Sequence, residues 1–351
     1  MILQENDTVR DYRIIRKIGE GGMGSVYLAE DTMLDRKAAI KALNPLLTQD
    51  NLFTERFRQE AKVQAGLIHP GIVSLHNFFV ENGSYFMVME YAEGTTLKEK
   101  IAAHGAMPEK RAAVIFSRML DALGYAHSKG VIHRDIKPGN IIIDSSDNVK
   151  ILDFGIAKIL GDKGMTKTGA KMGTVYYMSP EQIRASKDID QRTDIYSLGI
   201  TLYEMLTGRL PFNTNTESDF EVMEEIIRGT ITAPERIVPS LSNTIVNVIY
   251  RMTEKEKEKR PATCFLCGEQ LRDIPLPVSI AEKADVRPSK TAGEFVPEQE
   301  YKTDNNKGAE KKVRKKTNKL VFIALLVIFT IGVGVITLLV IFAVASYLAS
   351  I

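Results

Sequence analysis

Short apolar runs, broken by glycine or polar residues, dominate the first ninety positions of the chain. The runs are rich in branched and aromatic side chains, which is the pattern of β-strands. We predict strands at 13–18, 25–30, 38–43, 72–80 and 85–91. The last two flank Glu81-Asn82-Gly83, and an Asn-Gly pair between strand patterns is typical of a hairpin turn.

Helical spacing appears once in this region and then dominates the chain after residue 95. Within 51–67, apolar residues recur every four positions and so share one face of a helix: Phe53, Phe57, Ala61 and Ala65. Longer helical patterns occupy 109–129 and 194–207, with short strands expected around 131–152. The pattern predicts an α+β fold in which a β-rich small lobe precedes a mostly helical large lobe.

Composition and charge divide the chain into three zones. Of its 351 residues, 44% are hydrophobic and 26% charged, which excludes wholesale disorder. The net charge of +2 gives no overall basic field, so we expect no nucleic-acid partner. Residues 275–310 contain four prolines and few large apolar side chains, and we interpret 275–319 as a flexible linker that ends in six bases at 311–319.

The tail carries no charged residue from Leu320 onward, and this predicts a transmembrane helix at 320–347. About 20 helical residues span a hydrocarbon core of roughly 30 Å; the alternative, a buried core helix, would need a folded domain around it. The bases at 311–319 place the preceding chain in the cytoplasm. We therefore expect a single-pass protein of the cell (inner) membrane. Thr330 and Gly334 form a weak small-xxx-small pair that would allow a homodimer.

A glycine-rich segment joins the first two predicted strands. Gly19, Gly21 and Gly24 have no Cβ, so the backbone can approach phosphate oxygens and donate its N–H groups to them. The same G-x-G-x-x-G spacing occurs in dinucleotide-binding folds, but there it opens a helix, whereas 25–30 continues as a strand. A plain glycine-rich hairpin turn is the alternative.

Lys41 ends an apolar strand and must find an anion if it is buried, because an unpaired buried ammonium is costly. Phosphate oxygens and a helical carboxylate are natural partners, and Glu60 lies on the following predicted helix. The alternative is an ordinary surface lysine.

The most specific motif is the octapeptide His133-Arg-Asp-Ile-Lys-Pro-Gly-Asn140, framed by apolar residues on both sides. Asp135 is placed to accept a proton and Lys137 to hold a phosphate. Asn140 offers an oxygen to a hard cation, and Asp153 in Asp153-Phe-Gly155 supplies a second. Such an Asn/Asp pair suits Mg²⁺, which takes one or two protein oxygens beside substrate phosphates.

In order and spacing these motifs resemble the eukaryotic-type serine/threonine protein kinases, particularly their bacterial members, over residues 12–274. Further matches are 173–181, 194–199 and Arg260-Pro261; Ala38 and Ser179 depart mildly, since each replaces one small residue by another. The resemblance implies a bilobal protein-kinase fold, ATP with Mg²⁺ (Mn²⁺ as a substitute), and protein substrates. It also implies a structural ion pair between Glu181 and Arg260.

The resemblance also assigns roles. It makes Asp135, Lys41, Lys137 and Glu60 the catalytic set, with Glu60 paired to Lys41, and Asn140 and Asp153 the metal ligands. Around ATP it places, besides Lys41, Ile18, Gly19, Glu20, Gly21, Gly22, Met23, Gly24, Ser25, Val26, Ala39, Met89, Glu90, Ala92 and Ile142.

Acceptor choice and regulation follow from two shorter segments. Lys137, two positions after Asp135, is typical of serine/threonine rather than tyrosine kinases of this fold. We expect autophosphorylation at Thr166 or Thr168, whose added charge would pair with Arg134.

Two other functions are alternatives to an active protein kinase, and one further motif suggests a metal or redox site. A pseudokinase scaffold would need the loss of Lys41, Asp135 or Asp153, and all three are present. A kinase of small molecules would usually lack the 173–181 segment. Cys264-x-x-Cys267 is half of a zinc or redox motif without a second half, and we interpret both cysteines as packing residues of a final helix.

Overall fold

The small lobe folds around one antiparallel sheet in the computed structural model, which describes residues 3–21, 24–48, 51–154, 175–213 and 218–271, all within the unit Met1–Ile280. The sheet has the order β1-β2-β3-β4-β6-β5. Its strands are β1 (Thr8–Val9), β2 (Tyr12–Gly21), β3 (Gly24–Asp31), β4 (Arg36–Leu43), β5 (Leu75–Glu81) and β6 (Ser84–Glu90). The predicted strands are present, and most extend a few residues further than their apolar runs.

One helix, α1 (Asn51–Ala65), covers one face of this sheet. Along β4 the side chains alternate between the two faces. Ile40 and Ala42 join the core on one face, while Ala39 and Leu43 pack with Phe57 of α1 on the other. Lys41 shares the parity of Ala39 and Leu43. The strand period therefore turns its side chain toward α1.

The predicted hairpin is present between β5 and β6, where Asn82 (φ 48°) and Gly83 (φ 71°) both take left-handed backbone conformations. The preceding strand starts later than predicted. Ile72 lies outside it because it forms an isolated parallel bridge with Ile151 of the large lobe.

The large lobe is mostly helical and is centred on α5, whose residues from Thr193 to Thr207 are nearly all buried. Its helices are α2 (Leu97–His104), α3 (Glu109–Ser128), α4 (Pro180–Ile183), α5 (Arg192–Thr207), α6 (Asp219–Arg228), α7 (Pro234–Ile237), α8 (Asn243–Met252) and α9 (Cys264–Leu271). A three-stranded sheet, β7-β8-β9, is formed by Thr95–Thr96, Ile141–Ile143 and Val149–Ile151. Both cysteines are buried on α9, in keeping with their interpretation as packing residues.

Several predicted features lie outside the described residues. They are Gly22, Met23, Thr166, Thr168, the linker and the apolar tail. Within the ranges that the structure describes, none of the helices combines the length and the apolar character needed to cross a membrane.

Candidate functional site

Lys41 lies at the centre of a buried ionic cluster between α1 and the segment that follows β9. Its Nζ donates to Glu60 Oε1 at 2.6 Å and to Asp153 Oδ1 at 3.1 Å. Lys41 is 9% exposed and Glu60 4%, whereas the Asp153 side chain is 42% exposed. The cluster is therefore closed on the helix side and open on the Asp153 side.

The charges of this cluster are unequal, since one ammonium serves two carboxylates. Burial alone would lower the pKa of Lys41, but the nearby Asp153 and Glu60 carboxylates outweigh it and raise that pKa above its ordinary value. Lys41 is thus held as a cation while the cluster keeps an excess of negative charge.

The glycine-rich segment forms the connection between β2 and β3, as predicted. In the strand register Gly19 lies opposite Val26 and Gly21 opposite Gly24. A Cβ on Gly24 would lie only 2.0 Å from the backbone oxygen of Ala42 on β4, so this position cannot accept a side chain without displacing the strand. A Cβ on Gly21 would have its nearest neighbour at 4.0 Å.

Part of the predicted nucleotide pocket comes together as one apolar cluster. Ala39, Met89 and Ala92 are buried in the core beside α1, and Val26 and Ile142 pack against it. Ile18 does not join this cluster and is 37% exposed. The side chains of two other predicted residues are engaged elsewhere: Glu20 pairs with Lys17, and Glu90 with Lys150.

The loop after Ile132 brings two of the predicted residues, Lys137 and Asn140, to the carboxylate of a third, Asp135. Lys137 Nζ donates to Asp135 Oδ2 at 2.9 Å, and Asn140 Nδ2 donates to the same oxygen at 3.1 Å. Asn140 Nδ2 also donates to the backbone oxygen of Asp135 at 2.8 Å. Asn140 is therefore oriented through its nitrogen, and its amide oxygen is the end available to a cation.

Two contacts hold this loop against the segment that carries Asp153. His133 Nε2 lies 2.8 Å from the backbone oxygen of Leu152, and the Leu152 N–H donates to Asn140 O at 2.9 Å. Arg134 (φ 64°) and Asp153 (φ 47°) both adopt left-handed backbone conformations, which cost energy for residues with a side chain. One strained position, Arg134, directly precedes Asp135, and the other, Asp153, is a predicted metal ligand.

Sequence reasoning assigned no role to Asp194, which anchors this loop from the first turn of α5. Asp194 is fully buried, and its Oδ2 and Oδ1 accept the backbone N–H groups of His133 (2.8 Å) and Arg134 (2.7 Å). His127 Nε2 lies 2.8 Å from the same Oδ2. An acidic residue in the first turn of a helix rich in apolar residues is a signal that could have identified it, because such a charge is rarely buried without partners.

The expected ion pair of the large lobe is present. Arg260 Nη1 and Nη2 donate to the two carboxylate oxygens of Glu181 at 2.7 and 2.8 Å. Ser179, the residue that departs from the usual alanine, caps α4 and its Oγ lies 2.7 Å from Thr193 Oγ1. The serine thus adds hydrogen bonds to the segment beside the 133–140 loop.

Comparison with known proteins agrees with this geometry. Residues 12–271 match the model of the protein kinase domain family. The chain is 43% identical over 252 residues to the serine/threonine-protein kinase PrkC of Bacillus subtilis, which covers 72% of this chain and 38% of the relative. It is 38% identical over 258 residues to the serine/threonine-protein kinase PknB of Mycobacterium tuberculosis, covering 72% and 41%. The chain thus spans about two fifths of the length of these curated relatives.

A solved structure shares the fold. The crystal structure of the Mycobacterium tuberculosis PknI kinase domain superposes with a TM-score of 0.61 at 25% sequence identity, covering 77% of this chain and 98% of that one. The bilobal architecture is that of a protein kinase, with a β-rich small lobe and a helical large lobe.

Proposed function

Because this chain belongs to the protein kinase family, we propose that it transfers the γ-phosphoryl group of ATP to serine or threonine hydroxyls of proteins. One observation carries the proposal. The Lys41–Glu60–Asp153 cluster and the Asp135–Lys137–Asn140 cluster belong to segments joined by the hydrogen bonds of Leu152.

The residues of these two clusters fit ATP with Mg²⁺, or with Mn²⁺ in its place. Asn140 and Asp153 are hard oxygen donors, and the excess negative charge around Lys41 favours a divalent cation. The cation, when bound, would neutralise charge on the phosphates. Lys41, held by Glu60, would bind phosphate oxygens beneath the glycine segment, and the apolar cluster around Ala39 would take the adenine.

Asp135 would act on the acceptor. Its carboxylate would orient the substrate hydroxyl and accept its proton, while Lys137, already 2.9 Å away, would neutralise charge on the transferring group. Phosphoryl transfer needs little covalent work from the protein, so alignment and charge carry most of the rate. The lysine at 137 and the similarity to two serine/threonine-protein kinases support serine or threonine as the acceptor.

The test is transfer of labelled phosphate from Mg²⁺-ATP to a mixture of peptides that contain serine, threonine or tyrosine. Asp135→Asn keeps the shape of the side chain and removes the charge that accepts the proton, so it should abolish most transfer. Asp35→Asn is the matched control, because Asp35 lies in an exposed turn with φ 48°, a conformation that Asn tolerates.

Transfer to serine and threonine peptides by the wild type and the Asp35 variant, but not by the Asp135 variant, is the expected outcome. Robust transfer by Asp135→Asn would mean that the active site lies elsewhere. Transfer confined to tyrosine, or to a small alcohol, would contradict the proposed acceptor.

We also propose regulation by autophosphorylation at Thr166 or Thr168. The supporting observation is Arg134, whose Nε is buried and finds no hydrogen-bond acceptor among the residues that the structure describes. A phosphate adds about −1.5 to −2 charges and would supply one. Mass spectrometry should find the modification in the wild type and not in Asp135→Asn. Full activity after both threonines are replaced by alanine would exclude this switch.

Finally, we propose that the kinase domain (12–274) is tethered to the cell membrane through the linker 275–319 and a helix at 320–347, with the domain in the cytoplasm. The support is the charge-free sequence that follows six bases. Cell fractionation should place the full chain with membranes and a variant without 320–351 in the soluble fraction. Digestion of the kinase domain by protease added outside spheroplasts would contradict the orientation.

A further inference from the structure

An ion pair between Glu90 and Lys150 joins the two lobes. Glu90 is the last residue of β6 in the small lobe, and Lys150 is the middle residue of β9 in the large lobe. Lys150 Nζ lies 2.5 Å from Glu90 Oε1. Both residues line a cavity of about 990 Å³, and their side chains are 26% (Lys150) and 28% (Glu90) exposed. The pair is therefore partly open to solvent, so its loss should leave the packed cores of both lobes intact.

Strand parity turns the side chain of Glu90 away from the apolar cluster around Ala39. Along β6 the side chains alternate between the two faces of the sheet. Met87 and Met89 pack in the cluster with Ala39, whereas Val88 packs in the core on the other face, and Glu90 has the parity of Val88. A base beside Met89 would therefore meet the backbone of Glu90 and not its carboxylate.

Two groups hold the Glu90 carboxylate, and both are attached to β9. Lys150 is itself a residue of β9, and the Ser74 N–H donates to Glu90 Oε2 at 3.2 Å. Ser74 follows Val73, whose N–H donates to Ile151 O of β9 at 3.1 Å. The Glu90 N–H in turn donates to Ser74 O at 2.9 Å. The backbone at Glu90 is thus held in place from β9.

The same strand supports two other parts of the site. Ile142 of β8, which packs against the apolar cluster, is the cross-strand partner of Lys150. Asp153, which accepts a hydrogen bond from Lys41, lies two residues after the end of β9. One short strand therefore connects the segment that holds Glu90 to the carboxylate beside Lys41.

We propose that Lys150 is a positioning residue for the nucleoside end of ATP. Its ion pair holds the backbone at Glu90 in place beside the apolar cluster, and this sets the affinity for adenosine. The role rests on the nucleotide site of the proposed function, which puts the base beside 89–92. Lys150 acts through Glu90 and not on the phosphates, so it contributes equally to the ground state and to the transition state. Losing such a contribution raises KM and leaves kcat unchanged.

The test compares the full-length wild type with Lys150→Met, which removes the charge and keeps a long side chain. We expect KM for Mg²⁺-ATP to rise about fivefold at unchanged kcat, the factor for a partly exposed ion pair at the upper end of its usual strength. The dissociation constant of adenosine, measured by calorimetry, should rise by the same factor. The dissociation constant of inorganic triphosphate with Mg²⁺ should not change, because this probe has no base.

Further variants separate positioning from a general loss of stability. Lys150→Arg keeps the cation and should restore the wild-type affinity for adenosine, whereas Lys150→Gln should behave like Lys150→Met. Lys110→Met removes an exposed lysine of α3 and should change neither KM nor the affinity for adenosine. In a Glu90→Met background, Lys150→Met should cause no further loss, because two residues that act as one unit are not additive.

Four results would overturn the positioning role: an unchanged affinity of Lys150→Met and Lys150→Gln for adenosine, an equal loss of affinity for inorganic triphosphate, a fall in kcat with KM unchanged, or a further loss in the Glu90→Met background. With any of them, phosphate transfer by the wild type would leave the proposed function standing. A wild type that binds adenosine in the Lys150-dependent way but transfers no phosphate would contradict the proposed function and leave the positioning role established.

Discussion

Two buried pairs of a cation and a carboxylate, one in each lobe, are built for different ends. Arg260 gives all five of its N–H groups to protein acceptors: two to the Glu181 carboxylate and three to backbone oxygens of Glu254, Arg192 and Lys255. Among the residues that the structure describes, Lys41 donates to Glu60 and Asp153, which are two hydrogen bonds from a group with three N–H bonds.

The surroundings differ in the same direction. Arg260 is closed off from solvent, and its guanidinium lowers the pKa of Glu181 against the opposing effect of burial. The Lys41 cluster opens toward solvent at Asp153 and carries more negative than positive charge. The N–H groups of Arg260 are all bonded to the protein, so its pair with Glu181 stabilises the fold. The Lys41 cluster keeps an N–H group and negative charge beyond its contacts with the described residues, so it can bind a ligand.

Removing Lys41, the cation of the pair that is open to solvent at Asp153, should have the largest effect on activity. We expect Lys41→Met to lower kcat/KM for phosphate transfer by about 10²–10³-fold, because one fixed charge on the transferring phosphates is lost. The free energy of unfolding should fall less than when Arg260 is removed from its pair with Glu181. Burial already raises the pKa of Glu60, so this carboxyl can take up a proton once Lys41 is gone. Steady-state kinetics and thermal melting measure both effects, with the exposed Lys110→Met as control.

A Lys41 variant that melts far below the wild type and yet keeps its activity would reverse the comparison. It would place Lys41 with the structural pairs.

Arg260→Met is the complementary experiment. It removes the cation that pairs with the buried Glu181 carboxylate, to which Thr193 Oγ1 still donates, and takes one donor from each of three backbone oxygens. This loss should cost about 3–5 kcal/mol of unfolding free energy. Activity per folded molecule should change far less than in Lys41→Met. Urea denaturation followed by an activity assay normalised to the folded fraction tests this, and an unchanged midpoint would show that the closed pair is not structural.

The sequence predicted the Lys41–Glu60 and Glu181–Arg260 pairs on different grounds. The helical spacing of 51–67 made Glu60 a possible partner of Lys41, with an ordinary surface lysine as the alternative, and the resemblance to kinases implied the pair. The pairing of Glu181 with Arg260 came only from the resemblance to kinases, since seventy-nine positions separate them. The contact between Lys41 and its second partner, Asp153, could not be expected, because Asp153 adopts a left-handed backbone conformation at φ 47° that no local pattern requires.

The anchoring role of Asp194 was missed for a related reason. Its partners are two backbone N–H groups and one imidazole, and backbone donors leave no trace in the sequence.

Two glycines of the segment between β2 and β3 also differ in role: Gly24 packs against the protein, whereas Gly21 faces open space. A Cβ on Gly24 would collide with the Ala42 backbone, so Gly24→Ala should lose about 1–3 kcal/mol through strain between β3 and β4. Gly21→Ala meets nothing closer than 4.0 Å and should keep its stability within about 0.5 kcal/mol. Melting curves of the two variants, each with and without Mg²⁺-ATP, measure the difference. Equal destabilisation would mean that the loop, and not packing against β4, sets the need for glycine.

The smallest effect concerns a third cation, Lys255, which lies beside the Arg260–Glu181 pair. If Arg260 already uses the negative charge of Glu181, none is left to stabilise the ammonium of Lys255. Burial lowers the pKa of Lys255 from 10.5 to about 8, and Arg260 and Arg184 contribute to the decrease against the opposing effect of Glu225. Between pH 8 and 10.5 the unfolded chain therefore binds more protons at this site than the folded chain, so the contribution of Lys255 to stability rises with pH over that window. The melting temperature of the wild type should gain on that of Lys255→Met as the pH is raised from 7 through this range, whereas the difference from Lys110→Met should stay constant. If the difference in melting temperature between the wild type and Lys255→Met stays constant or changes in the opposite direction, the Arg260–Glu181 pair leaves negative charge that stabilises the Lys255 ammonium.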